Sequence, residues 1–171
     1  ITFAMIEVRS FGQINKHPVY EVILTNANGM YVSSCTLGCI ITAIATPDSK
    51  GIIENVVCSF DTAEKYKQYP QFFGAAIGPF AGRLEDAILE INGVSFQARA
   101  NEGHHLLHGG NDGFHNQLWQ FETGVSSRGQ YVKYFLNFKS VDFPGKLNMS
   151  ITYTLTASNE LIISYNGVSD I

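Results

Sequence analysis

Four of the five histidines fall within twelve residues, inside the glycine-rich segment Arg99–Asn116. They are His104, His105, His108 and His115. Imidazoles exchange protons near neutral pH and are the commonest transition-metal ligands. The spacing does not favour a metal, because His104 and His108 share a face only on a helix, and Gly103 and the glycines after His108 oppose one. The pattern His-Glu-x-x-His is also absent. We therefore predict no metal site here.

His108 has a different setting from the other three histidines, which we expect to be surface or capping residues. It follows the apolar pair Leu106-Leu107 and precedes Gly109-Gly110. A short buried strand would deliver its imidazole to a place where the glycines leave room for a ligand to approach the backbone. His108 is therefore the histidine that we expect to contact a ligand.

Arg83 is the second residue whose setting suggests chemistry. It is the only charged residue between Ala75 and Leu84, in the glycine-rich segment FFGAAIGPFAGRLED. Its ordinary role would be a surface ion pair with Glu85 or Asp86, which contributes little to stability. A guanidinium in an apolar loop must however find acceptors, and its rigid fork of donors suits vicinal hydroxyls or a carboxylate.

Trp119, the only tryptophan, has two interpretations. Its size makes a place in the core the ordinary expectation. Its ring could equally form one wall of a sugar site, since an aromatic face stacks on the apolar face of a pyranose.

The elements that must position these residues are strands. Segments alternating between apolar and polar residues, rich in β-branched and aromatic side chains, dominate the chain. The dipeptide Asn92-Gly93 predicts a two-residue type I′ hairpin, and Thr62–Gln68 is the one plausible helix, with Asp61 as its N-cap. The candidate strands are Phe3–Arg9, Val19–Thr25, Met30–Cys35, Cys39–Thr46, Asn55–Phe60, Ala87–Ile91, Val94–Ala98, Leu118–Glu122, Gln130–Lys139, Leu147–Thr156 and Glu160–Tyr165.

This pattern predicts an all-β fold, an antiparallel β-sandwich or part of one, as a single unit over residues 1–171. No repeat, low-complexity tract or linker marks an internal boundary. The segments that carry Arg83 and the histidines are then long loops on a rigid sheet scaffold, where binding sites usually lie.

Composition excludes several classes of protein. Eleven basic residues against fifteen acidic ones give a net charge of −4, so nucleic acid is not an expected partner. No apolar run approaches the ~20 residues of a membrane span, so no membrane partner is expected. Cys35, Cys39 and Cys58 fit buried thiols in a reducing compartment better than disulfides or zinc ligands. The expected location is the cytoplasm.

The two loop segments together resemble the galactose mutarotase (aldose 1-epimerase) family. In that family a segment of the type G-x-x-I-G-x-x-A-N-R-I leads into a hairpin, followed by N-x-x-x-x-x-L-H-G-G-x-x-G-F and then a tryptophan. This chain has glycine at position 82, where many members have asparagine. The matching residues are Gly74, Ile77, Gly78, Ala81, Arg83, Asn101, Leu107, His108, Gly109, Gly110, Gly113, Phe114 and Trp119.

The resemblance implies a galactose mutarotase-like supersandwich, of which this chain is the N-terminal half. It implies interconversion of the α and β anomers of an aldohexose such as galactose or glucose, without a cofactor. Arg83 and His108 would donate to sugar oxygens, with Gly82, Asn101 and Trp119 also in the substrate site. The family's general-acid histidine and general-base glutamate are not within residues 1–171, so we expect the sequence to be a segment of a longer polypeptide.

Two other functions compete with this one. A carbohydrate-binding β-sandwich could retain the sugar-binding loops without catalysis. A metal-dependent barrel of the cupin kind would need His-x-His followed by Glu, and the adjacent pair His104-His105 does not provide that spacing.

Overall fold

The computed structural model describes residues 4–171. Thirteen strands, one short α-helix and two 3₁₀ turns make up the regular structure of those residues. The strands are β1 (Met5–Ile14), β2 (His17–Thr25), β3 (Tyr31–Cys35), β4 (Ile41–Pro47), β5 (Ile53–Asn55), β6 (Arg83–Leu84), β7 (Ile88–Ile91), β8 (Val94–Gln97), β9 (Leu106–Leu107), β10 (Gln120–Ser126), β11 (Gly129–Phe138), β12 (Leu147–Leu155) and β13 (Leu161–Ser169). Helix α1 is Ala63–Gln68, and the 3₁₀ turns are Glu85–Ala87 and Phe114–Asn116.

Two antiparallel sheets form the framework. Strands β1 to β5 pair in sequence order into one sheet, and β10 to β13 pair in sequence order into the other. Two small ladders, β6 with β9 and β7 with β8, lie in the segment between the sheets. The prediction of an all-β, antiparallel fold is confirmed.

The main core lies between the two sheets, as in a β-sandwich. Val22 and Val32 from the first sheet and Val132 and Tyr153 from the second belong to one buried cluster. Hydrogen bonds also cross this core, because the hydroxyl of Tyr153 donates to the backbone carbonyl of Cys39 at 2.7 Å. A buried hydroxyl with a partner avoids the cost of an unsatisfied polar group.

Helix α1 covers a second, smaller core on the first sheet. Its buried residues Ala63 and Tyr66 pack in a cluster with Phe11 and Leu37. The predicted helix is present, but the predicted cap is wrong. The side chain of Thr62 accepts from the amide of Lys65, whereas Asp61 forms an ion pair with the Lys65 side chain.

Most predicted strands are present with shifted ends. Asn55–Phe60 is wrong as a strand, because β5 ends at Asn55, whose side chain accepts from the amide of Val57 and turns the chain. The predicted start of the first strand, Phe3, lies outside the described residues. Asn92 and Gly93 have φ of 52° and 76°, as the predicted type I′ turn requires. No helix of residues 4–171 is long and apolar enough to cross a membrane.

Candidate functional site

A two-residue ladder joins the arginine loop to the histidine loop. Arg83 is paired with Leu107, and Leu84 with Leu106, in the antiparallel β6–β9 ladder. Just beyond its end, the amide of His108 donates to the carbonyl of Gly82 at 2.9 Å. The Gly82 amide donates back to Nδ1 of the His108 ring at 3.1 Å. The structure therefore brings the backbones of Arg83, Gly82 and His108 together.

The bond from Gly82 determines the tautomer of His108. Because Nδ1 accepts a backbone N–H, the neutral ring carries its proton on Nε2. The ring is half-buried and packs edge-on against Phe72, with centroids 5.0 Å apart. The backbone of His108 has φ of 54°, an uncommon conformation for a residue other than glycine. The imidazole is therefore held in place with an N–H group as its free polar end.

Close backbone packing behind His108 explains its following glycine. A Cβ on Gly109, at φ of 81°, would overlap the carbonyl oxygen of Gly78. The same carbonyl accepts the amide of Phe114 at 3.0 Å, so both loops share one contact point. Any side chain at position 109 would push the loops apart.

Arg83 is exposed and already has a partner. Its side chain is 60% exposed, and its Nε and terminal nitrogen both donate to the carboxylate of Glu102, the latter at 2.7 Å. The sequence offered Glu85 and Asp86 as ion-pair partners of Arg83, but the structure pairs Arg83 with Glu102. The hydrogen bonds from the Arg83 guanidinium lower the pKa of Glu102. Glu102 is thus a carboxylate already engaged by Arg83.

Asn101 lies beside the junction, and its side chain makes two hydrogen bonds with the backbone. Its side-chain oxygen accepts from the amide of Leu107 at 2.6 Å, and its side-chain nitrogen donates to the Leu107 carbonyl at 3.1 Å. Strand β9 is held in place by this pair of bonds. The structure thus places Asn101 where it positions β9 and His108.

Trp119 is buried in the sandwich core, so the expectation of a sugar-stacking wall needs correction. It is 3% exposed and packs edge-on against Phe114, with centroids 5.5 Å apart. Its indole N–H donates to the carbonyl of Phe114 at 3.2 Å. The ring anchors the turn that follows the glycines and presents no face to solvent.

His115 is half-buried, which corrects the expectation of a surface residue. Its ring also packs edge-on against Phe72, with centroids 4.8 Å apart, and its Nδ1 has no hydrogen-bond partner among the described residues. Burial lowers its pKa to about 4, and the charges of Lys67 and His108 contribute. His115 also lines a cavity of about 30 Å³ with Lys67 and Phe72. That volume holds a water molecule or two and excludes a hexose.

An ion-pair network around the buried Asp142 connects the histidine loop to a later segment of the chain. Asp142 is 4% exposed and accepts from the backbone amide, Nε and a terminal nitrogen of Arg99 at 2.8 to 2.9 Å. The same terminal nitrogen reaches Asp112 at 2.5 Å. The sequence contained no local signal for this network, because Asp142 is 43 residues from Arg99.

Comparison with known proteins now places these residues in a family. The aldose 1-epimerase family model matches residues 20–170. The chain belongs to the aldose 1-epimerase family. It is 31% identical over 169 residues to an aldose 1-epimerase of Haemophilus influenzae and 34% identical over 147 residues to a galactose mutarotase of Bos taurus. These alignments cover 97% and 86% of this chain.

Solved structures of aldose 1-epimerase relatives share the fold. A galactose 1-epimerase from Lactobacillus acidophilus superposes with a TM-score of 0.85 at 25% identity, covering 98% of this chain and 49% of that one. The Haemophilus and Bos relatives are covered over 48% and 42% of their lengths. The chain therefore spans about half the length of the curated relatives that it matches.

Proposed function

We propose that this chain supplies the sugar-binding, hydrogen-bond-donating side of an aldose 1-epimerase site. The substrate class is a free aldohexose such as galactose or glucose. The observation that carries the proposal is the junction of Gly82 with His108, which holds the imidazole in place beside the ladder residue Arg83. A neutral sugar fits these groups, because the one cation at the junction is already balanced by Glu102.

Interconversion of anomers requires opening and reclosing of the pyranose ring. A base takes the proton of the anomeric hydroxyl while an acid protonates the ring oxygen, and the C1–O5 bond breaks to give the aldehyde. Rotation about C1–C2 and closure on the other face of the carbonyl complete the reaction. His108 would donate from Nε2 to a sugar oxygen on which negative charge develops, and Arg83 would add a charged donor.

The general base needs a different residue from those at the junction. Glu102 is held by Arg83, and its lowered pKa makes it a weak base. Arg83 stays protonated at any working pH. We therefore place the acid and the base in the portion of aldose 1-epimerases that this chain does not match.

The proposed location is the cytoplasm. Cys35 and Cys39 are buried free thiols, and burial raises the pKa of Cys35 to about 12. Such thiols are unreactive and suit a reducing compartment. Cys58 differs from the sequence expectation because it is exposed, which leaves a free thiol on the surface.

The test is a polarimetric assay of the full-length enzyme, in which the mutarotation rate of freshly dissolved α-D-galactose gives kcat/KM for each variant. His108→Ala should lower kcat/KM by about 10²- to 10³-fold, the scale for removing one preorganised donor. Arg83→Lys should also lower it, because lysine keeps the charge without the fork. The matched control is His17→Ala, which removes an exposed histidine on β2 and should leave the rate unchanged.

The possible results distinguish an epimerase site from a non-catalytic carbohydrate-binding site. Equal rates for His108→Ala and His17→Ala contradict the proposed role of His108. Sugar binding that depends on His108, without faster mutarotation, supports the non-catalytic carbohydrate-binding function instead. Residues 1–171 alone should show no acceleration that depends on His108, because the base is not at the junction.

A further inference from the structure

Three potential metal ligands from two loops meet beside, but outside, the sugar-binding junction. Asp86, His104 and His105 each offer one ligand atom, and these atoms lie within 4.8 Å of one another. Nε2 of His104 is 3.4 Å from a carboxylate oxygen of Asp86. The rings of His104 and His105 are tilted by 47° to each other, with centroids 3.8 Å apart.

The backbone on both sides of this cluster is held in place. A tight turn joins Glu102 to His105, in which the two residues exchange backbone hydrogen bonds at 2.9 and 3.2 Å. Gly103 in that turn has φ of 58°, and Asp86 on the opposite loop has φ of 50°. The amide of Asp86 donates to Nδ1 of His105 at 3.2 Å, which joins the two loops.

The donor set and its spacing select the class of ion. A tetrahedron with metal–ligand bonds of about 2.0–2.1 Å has edges of about 3.4 Å, which is the separation of the His104 and Asp86 atoms. Two imidazole nitrogens and one carboxylate oxygen suit Zn²⁺ and its transition-metal neighbours, whereas Mg²⁺ prefers oxygen ligands only. Nδ1 of His105 has a free electron pair in the neutral ring, since it accepts a hydrogen bond.

We propose that Asp86, His104 and His105 form a zinc site with three protein ligands and an open fourth position. Ligation through Nδ1 of His105 replaces its hydrogen bond from the Asp86 amide. The spacing of the histidines predicted no metal site, because the contact of His104 and His105 with Asp86 is not local in the sequence. The structure uses a turn and a second loop instead. The site is independent of the proposed epimerase activity.

The experiment is calorimetric titration of ZnCl₂ into the chain after removal of metals with EDTA and dialysis. One Zn²⁺ should bind per chain, and His104→Ala and His105→Ala should each weaken binding by at least tenfold. Two controls should bind as the parent does: His17→Ala, which removes an exposed histidine elsewhere, and Cys58→Ser, which removes the exposed thiol. MgCl₂ should give no binding heat.

Folding of each variant is checked by its thermal midpoint without zinc, which should match the parent because His104 is exposed. If His105→Ala unfolds, Asp86→Asn takes its place, since asparagine tolerates a positive φ. Absence of zinc binding, undiminished binding in His104→Ala, or loss of binding in Cys58→Ser or His17→Ala would each overturn the proposal. Equal binding of Mg²⁺ and Zn²⁺ would also overturn it.

Discussion

At the scale of single residues, one backbone amide defines the chemistry of His108. The Gly82 N–H bonded to Nδ1 leaves Nε2–H as the free polar group, so the ring acts toward a ligand as a donor. A side chain at position 82 would alter this amide only through the backbone, which has φ of 87° and open space around its Cα. Glycine adopts this φ without strain, whereas a residue with a Cβ rarely does.

His115 should make the stability of the fold depend on pH. Its pKa of about 4 lies below the ordinary 6.5, so the unfolded chain binds more protons between those values. The contribution of the neutral His115 ring to the free energy of unfolding is complete above about pH 6.5, and it is lost as the pH falls toward 4. In urea unfolding at pH 7 and pH 5, His115→Gln should therefore lose less stability on acidification than the parent does.

The control for this prediction is His17→Gln, an exposed histidine on β2. Its loss of stability between pH 7 and pH 5 should equal that of the parent. A His115→Gln variant with the same loss as His17→Gln would show that His115 is not the group being protonated.

At the scale of elements, the site depends on a ladder of two residues. Strands β6 and β9 are too short for alternation to reveal them, although the apolar pair Leu106-Leu107 indicated a strand before His108. The long strands and the hairpin at Asn92-Gly93 were predictable because periodicity and turn chemistry are local signals. The pairing of Arg83 with Glu102 and the burial of Asp142 were not, because tertiary contacts determine both.

Gly109 should be the least replaceable glycine of this junction. Gly109→Ala adds a Cβ that overlaps the Gly78 carbonyl, whereas Gly51→Ala adds one at a similar φ with nothing within 4 Å. We expect Gly51→Ala to cost about 1 kcal/mol of unfolding free energy from backbone strain and Gly109→Ala about 3 kcal/mol. Urea unfolding of the two variants measures the difference. Equal losses would contradict the close packing of the two loops.

The Arg99 network should stabilise the loop through Asp142 more than through Asp112. Asp142→Asn places an amide N–H against the Arg99 donors in a buried position and should cost about 2 kcal/mol. Asp112 is 49% exposed, so Asp112→Asn should cost less than about 1 kcal/mol. Thermal and urea unfolding of this pair of variants check the ranking, and a larger loss for Asp112→Asn would reverse the assignment.

At the scale of the whole molecule, the two sheets of the sandwich position two loops. The sequence predicted these loops as candidates for a site but not how they contact each other. The segment between the two sheets carries both loops, and Trp119 and Phe114 fasten the second loop to the core. The sequence singles out these two loops because glycines, a lone arginine and a histidine mark them, and the structure joins the two loops through the β6–β9 ladder. It left Trp119 with two interpretations, because an aromatic residue serves a core and a sugar site equally well, and the structure places it in the core.

The most direct test is whether a sugar binds at the junction of Gly82 and His108. Amide resonances of the ¹⁵N-labelled 171-residue chain would be followed by NMR during titration with D-galactose, with myo-inositol as a control polyol. We expect galactose to shift the amides of Gly82, His108, Gly109 and Gly110, and we expect His108→Ala but not His17→Ala to abolish the effect. Galactose shifts that lie elsewhere, or that persist in His108→Ala, would contradict the assignment of this junction as the sugar site.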